Sequence, residues 1–300
     1  MKKRNAVIGT TSYCNARCLV CPTTRKAHGI MSFALWKSIV NQFATLPLAI
    51  YDEFWACSIG LFGEPLMDRG FFDKAAYYNK VFPKQSSTPS ELSRSRMPLL
   101  FNTNANLLFP HSADRIIESF DEVYIHAAAI DSKTYHLLMP KLDYTTMLSN
   151  TQYLIKRNHI LNGHLRIIVA TPRTRHNLAE LDVYKTFWLN EGADAVDFSQ
   201  LLNRAGTLEM FDDLAVQYGN VECPNCQAAT ANNLIIDWDG VVLLCCQDFH
   251  RQLPIGHIAQ EPIMQVLFSE KRHAVMQMLE NKQHEQLVTC AMCKINLASE

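Results

Sequence analysis

The sequence predicts an α/β fold: a parallel sheet covered by helices, followed by a smaller segment of different character. Three observations carry this. Apolar strand-like runs alternate with helical spacing six times between residues 5 and 199, a rhythm that implies parallel strands joined by right-handed crossovers. Around residue 221 the rhythm stops. Beyond it, two apolar runs meet at Asp239-Gly240, the strongest short signal for a hairpin. Periodicity alone leaves open whether the six strands curl into a partial barrel or lie in a flat doubly wound sheet. The expected division is a first domain over residues 1–215 and a second over 216–300.

Taken in order, the first strand is expected over residues 5–13. Residues 31–43 have helical spacing, with Ser32 as the N-cap. A second strand over 53–60 ends in Leu61-Phe62-Gly63-Glu64-Pro65-Leu66, and helical pattern returns over 71–80. The Ser-, Pro- and Arg-rich stretch 83–98 reads as a surface loop. Strands are then expected over 98–104, 122–127, 164–170 and 195–199, with helices over 111–120, 145–158 and 178–191. In the last third the hairpin spans 233–246 and a helix spans 264–279.

Composition excludes several classes. The 300 residues carry a formal net charge of −1, so no basic surface argues for nucleic acid or an anionic membrane. The start Met1-Lys2-Lys3-Arg4 runs directly into strand pattern without the apolar core of a signal peptide, and no run of eighteen apolar residues occurs. A cytoplasmic protein with no nucleic-acid or membrane partner is expected. The ten cysteines group as Cys14/Cys18/Cys21, Cys223/Cys226, Cys245/Cys246 and Cys290/Cys293, with Cys57 apart. Cys-x2-Cys pairs without an export signal favour metal over disulfides.

The densest group is Cys14-x3-Cys18-x2-Cys21, immediately after the first strand. Three thiolates on so tight a loop can wrap one face of a cubane 4Fe–4S cluster. Such clusters ordinarily take four cysteines, so one iron would stay open to bind and activate a small molecule, as open zinc positions do. Zinc or a disulfide is the competing reading of the three residues alone.

This spacing resembles the signature of the radical S-adenosylmethionine (radical SAM) enzymes. The resemblance implies a partial (β/α)6 TIM-like barrel, with SAM chelated on the open iron through its methionyl amino and carboxylate groups. It also implies reductive cleavage of SAM to a 5′-deoxyadenosyl radical, fed by a flavodoxin- or ferredoxin-type electron donor. Val20 stands where relatives usually carry an aromatic residue. Gly63-Glu64-Pro65 resembles the family's Gly-Gly-Glu-Pro, with Phe62 replacing the first glycine. Its physical logic survives: glycine permits close approach, proline fixes the turn, and the carboxylate pairs with the SAM ammonium. Asn102-Thr103-Asn104 sits where many relatives have Thr-Asn-Gly, and His126 falls near a SAM-contacting serine of the fourth strand. Arg166 and Arg173 are candidates for SAM's carboxylate, against the plainer reading of surface arginines. Cys57 is a candidate hydrogen-atom donor, against a buried thiol that only packs.

The last third resembles the SPASM and twitch extensions of that family, which hold auxiliary iron–sulfur clusters. The phrase Ile-x-x-Asp-Gly-x-Val-x-x-Cys-Cys ending at Cys246, then Ile255-Gly256-His257-Ile258, then Cys290-x2-Cys293, carries the likeness. Four thiolates from Cys226, Cys245, Cys290 and Cys293 would close one auxiliary 4Fe–4S cluster. Cys223 is an alternate for Cys226, and Cys246 a further candidate or a packing neighbour. A full SPASM domain has seven cysteines and two clusters; six are available here, so one auxiliary cluster is expected and not a second. A four-cysteine zinc site is the competing reading.

A closed auxiliary cluster accepts electrons but binds no substrate, which favours net oxidation. The expected activity is dehydrogenation of a small molecule of sugar or aminocyclitol type. The alternative is a peptide or protein maturase forming thioether or C–C bonds, or epimerising. The first strand starts by residue 5, leaving no room for a leader-peptide domain, which tilts the expectation towards a small molecule, or a peptide delivered by another protein. A non-catalytic zinc-binding scaffold is the alternative of another class.

Overall fold

The computed structural model describes residues 4–22, 28–84, 96–220 and 232–297. Six parallel strands form its body: β1 (Arg4–Ile8), β2 (Phe54–Ile59), β3 (Leu99–Thr103), β4 (Glu122–His126), β5 (Arg166–Pro172) and β6 (Ala195–Ser199). They lie in chain order, each hydrogen-bonded in parallel to the next, and curl into a partial barrel. Between them run α1 (Phe33–Thr45), α2 (Leu48–Tyr51), α3 (Phe71–Val81), α4 (Pro110–Ser119), α5 (Ser132–Leu138), α6 (Tyr144–Ile160) and α7 (Leu181–Asn190). Ser32 caps α1 as expected, its hydroxyl accepting from the Leu35 amide at 3.1 Å.

The two faces of the sheet have different company. Ala6, Ile8, Cys57, Ile59, Leu99, Phe101, Val123, Ile125, Ile167 and Val169 point outwards into the helical layer and are buried there. Under β3 the rings of Phe71, Phe101 and Phe120 meet at centroid distances of 4.6–5.3 Å. Residues of the other parity, among them Asn5, Val7, Ser58, Asn102, Tyr124 and His126, point into the barrel and line a cavity. A register shift between Arg4 and Asn5 against β2 sets this parity near Trp55.

The carboxy-terminal third joins the same sheet. After α8 (Phe211–Leu214) and β7 (Tyr218–Asn220) come β8 (Leu234–Ile236), β9 (Val241–Leu243) and β10 (Pro254–His257). β8 pairs in parallel with β1, and β9 and β10 continue antiparallel, giving nine strands in the order β10-β9-β8-β1-β2-β3-β4-β5-β6. The hairpin turns where expected: the Gly240 amide bonds the Asp237 carbonyl, and Gly240 has φ +98°. β11 (Lys294–Asn296) pairs with β7 in a separate two-stranded sheet.

Three expectations change. The first strand ends at Ile8, and residues beyond it leave the sheet. The helix expected over 264–279 is two helices, Ile263–Leu267 and Glu270–Glu280, because Ser269 breaks the first and caps the second by accepting from the Arg272 amide. α5, absent from the sequence reading, is started by Asp131 accepting from the Thr134 amide at 2.9 Å. Of the expected loop 83–98, residues 85–95 lie outside the described residues. On either side of them, Lys84 and Arg96 both reach Asp121.

Candidate active site

Beyond Ile8 the chain rises from the carboxyl end of β1. The Gly9 amide bonds Ile236, the Met31 amide bonds Thr10, and the Ser12 amide bonds Gly29. These bonds close a neck beneath the cysteine loop. Within the loop, the Cys21 amide bonds the Cys18 carbonyl, and the Leu19 amide is tied to Leu138 at the end of α5. Cys14, Cys18 and Cys21 all line the mouth of one cavity of about 750 Å³, and none is in a disulfide. The Cys18 thiol is pushed up, mainly by burial and then by Cys21 and Cys14 beside it. Among the described residues, no three Cys, His, Asp or Glu converge as ligands of a single ion. Three thiols around one mouth, beside an open volume, fit a cluster with a ligand on its exposed face.

Gly63-Glu64-Pro65 sits against this loop. A Cβ on Gly63 would lie 2.4 Å from the Thr11 carbonyl and 2.7 Å from that of Tyr13, and the Glu64 amide donates to Tyr13 at 2.9 Å. Gly63→Ala therefore forces two backbones apart. We expect a loss of about 1–3 kcal/mol, read by urea denaturation, with a lower iron content as the cysteine loop shifts. Glu64 is 2% exposed. Its Oε1 accepts from the Thr103 hydroxyl at 2.9 Å and the Leu66 amide at 3.2 Å, and its Oε2 from the Asn104 amide at 2.8 Å. Burial outweighs these bonds and pushes its carboxyl up to about 7. Asn104 also bonds Asn15 Oδ1 at 2.8 Å, so the ends of β1, β2 and β3 form one bonded rim.

Gly63, Glu64, Asn102, Thr103, Asn104 and His126 all line the cavity, while Pro65 opens the short turn Pro65–Met67 behind it. The His126 side chain is accessible from the cavity, with protein packed densely around it. Desolvation, aided by the Arg204 charge, holds it down to about 4, so it is neutral near pH 7.

Two candidates are corrected. Arg166 opens β5 at the amino end of the sheet, opposite the cysteine loop, where it pairs with Glu122 at 2.6 Å and its side chain is 54% exposed. Strands of a parallel sheet present their chemistry at the other end. Cys57 lies on the outward face of β2, in register with Ala6 and Leu99, and burial among the helices pushes its thiol up to about 12. It cannot reach a radical inside the barrel. Arg173, one residue past β5, holds its guanidinium 5.8 Å from the Phe198 ring.

Comparison with known proteins completes the picture. Residues 219–294 match the SPASM family, an iron–sulfur cluster-binding domain. The whole chain superposes on BtrN in complex with AdoMet and 2-DOIA at 17% identity and TM-score 0.60, covering 98% of this chain and 94% of that one. It also superposes on Streptococcus suis SuiB bound to its precursor peptide SuiA, at 12% identity and TM-score 0.70, covering 92% and 67%. A third likeness is anSMEcpe with bound AdoMet and the Cp18Cys peptide, at 14% identity and TM-score 0.66, covering 96% and 88%. The chain shares the fold of these three structures, and its carboxyl-terminal segment, residues 219–294, carries the SPASM match. No curated protein sequence matches the chain, and no helix among the described residues is long and apolar enough to cross a membrane.

The segment that matches SPASM brings Cys245, Cys246 and Cys293 near the turn after β6. Asn203 bonds Met292 and Lys294, which flank Cys293. Arg204, next in sequence, donates from Nη1 to Gln247 Oε1 at 2.8 Å. Gln247 in turn donates from its amide to Cys245 Sγ and from Nε2 to Cys246 Sγ, at 3.3 and 3.4 Å. Cys246 lines the main cavity. Cys245 beside it holds its thiol below the usual thiol range against burial, with help from Arg204. Cys223 and Cys226 lie outside the described residues. Sequence reasoning missed Arg204, Ser58, Tyr124 and Phe249 as cavity residues. The one usable signal was the position of Arg204 just past the carboxyl end of a strand.

Proposed function

We infer that the chain is a radical SAM enzyme that oxidises a small hydroxylated molecule. The observation that carries this is the convergence of the three loop thiols, the Glu64 carboxylate and the SPASM residue Cys246 on one cavity. When bound, a 4Fe–4S cluster on Cys14, Cys18 and Cys21 together with SAM supplies a radical that removes a substrate hydrogen atom, and an auxiliary cluster supplies an acceptor for the remaining electron. The chain's own residues do the rest. Glu64 holds the SAM ammonium, with Thr103 and Asn104 fixing the carboxylate. Ser58, Asn102 and Tyr124 orient substrate hydroxyls. The neutral His126 ring accepts the hydroxyl proton as the carbon–oxygen bond gains its second bond. The rings of Phe62 and Phe249, 4.5 Å apart, shield the cavity wall from water.

Auxiliary ligation by Cys245, Cys290 and Cys293 with Cys226 or Cys223, one auxiliary cluster, and a flavodoxin- or ferredoxin-type donor belong to the same reading. The near-complete mutual coverage with BtrN supports the small molecule. The higher TM-scores to SuiB and anSMEcpe, both solved with peptides, favour a second reading in which the substrate is a peptide.

The test is anaerobic purification with iron, sulfide and zinc counted per chain, repeated on a Cys14/Cys18/Cys21→Ala variant. About eight irons falling to about four, with loss of 5′-deoxyadenosine release, is the expected result. Zinc in place of iron would overturn the reading in favour of a binding scaffold. Uncoupled cleavage stimulated by peptides and not by polyols would favour the second reading.

A further inference from the structure

The geometry points to an oxyanion-binding subsite at Arg204, so that the molecule oxidised is an acid, a polyol bearing a carboxylate or a phosphate, and not an amine. This rests on the reading of the cavity as the place where a small molecule is oxidised.

Arg204 is built into position. It and the next two residues have φ of +53°, +53° and +81°, and two non-glycine residues in the left-handed region persist only where their surroundings hold them. Nη1 is bonded to Gln247, Nε reaches the Val20 carbonyl at 3.4 Å, and the guanidinium lies 5.7 Å from the Phe249 ring centroid. Among the described residues Nη2 has no hydrogen bond and no carboxylate pairs with the guanidinium. The anionic neighbour of Arg204 is the Cys246 thiol; with no carboxylate pairing it among the described residues, the fixed guanidinium keeps a donor edge that matches carboxylate and phosphate oxygens.

The rest of the wall agrees. Among the described residues lining the cavity, the one carboxylate is Glu64, and it already accepts three hydrogen bonds beside the cysteine loop. An ammonium-bearing substrate would meet a cation and find no carboxylate to spare. A polyol acid would meet Arg204 at its charge and Ser58, Asn102 and Tyr124 at its hydroxyls. Two other roles compete for Arg204: balancing the charge of the cysteine sulfurs nearby, and holding the carboxylate of SAM.

Equilibrium dialysis separates these. The reconstituted holoenzyme, with and without SAM, is dialysed against an equimolar mixture of gluconate, glucose 6-phosphate, glucosamine and glucose, and the retained compounds are measured by mass spectrometry. The expected result is retention of gluconate or glucose 6-phosphate about tenfold over glucose, with glucosamine at or below glucose; which acid is retained tells carboxylate from phosphate. Arg204→Gln should abolish that preference and Arg204→Lys should keep part of it, with iron content unchanged and SAM affinity within about twofold. Preferred retention of glucosamine, or a preference surviving in Arg204→Gln, overturns the proposal. So does loss of iron or of SAM affinity in that variant, which would assign Arg204 to a cluster or to SAM. Wild-type protein that holds no iron and binds no SAM would refute the radical SAM reading instead, while the retained class still reports the charge the cavity selects.

Discussion

Glu64→Gln is expected to weaken SAM binding by roughly 10- to 100-fold, the value of one charge-assisted hydrogen bond. The substitution keeps the shape and the bond from Thr103, but removes the charge that, in the proposed reading, would meet the ammonium. Its pH signature is the sharper measurement. Burial raises the Glu64 carboxyl from its ordinary 4.5 to about 7 in the ligand-free protein. Below that value SAM must first displace a proton, so in the wild type affinity rises with pH between about 5 and 7 and then levels. The variant should show no such rise by calorimetry. Stability runs the other way. The unfolded chain ionises at the lower value and the folded one at the higher, so Glu64 lets stability fall as pH climbs from 4.5 through 7. The loss is on the order of 3 kcal/mol. Glu64→Gln should flatten that slope in urea titrations. A variant with unchanged SAM affinity would remove Glu64 from the site.

Lys74→Met should cost about 3–5 kcal/mol, lowering the melting temperature by roughly 5–15 °C. Lys74 Nζ and Asp68 Oδ2 lie 2.6 Å apart with side chains 2% and 1% exposed. Asp68 also accepts from the Gly70 amide at 2.8 Å, and its own amide closes the turn that follows Glu64. Removing the ammonium leaves a buried carboxylate with one neutral donor. The double variant Lys74→Met/Asp68→Leu should recover most of the loss, since an apolar pair of similar volume costs less than half an ion pair. If the single variant melts within a degree or two of wild type, the buried pair is not what holds the turn.

The strands of the barrel were legible because strands covered on the helix side and closed on the cavity side read as apolar runs of the right length. The hairpin was legible because Asp239-Gly240 demands a left-handed glycine. What failed was parity and breaks. Cys57 was placed on the correct strand with both faces left open, since the register shift near Trp55 has no sequence signature, and the packing role is the one the structure gives it. For Arg166 the plainer reading, a surface arginine, holds: it opens β5 at the end away from the cysteine loop. Arg204 showed only its position past the end of β6: its role depends on an irregular turn and on Gln247, 43 residues later.

The pairing of β8 with β1 makes the beginning and the end of the chain mutually dependent. The Asn5 amide donates to Asn233 Oδ1 across 228 residues. The strand that carries the cysteine loop is synthesised well before β8, so one of its edges stays open until that later strand has emerged. Loop closure over such a separation is slow, and an open edge invites pairing with a neighbouring chain. A fragment ending at residue 215 would therefore expose that edge permanently, and the barrel is expected to aggregate without the segment that follows it.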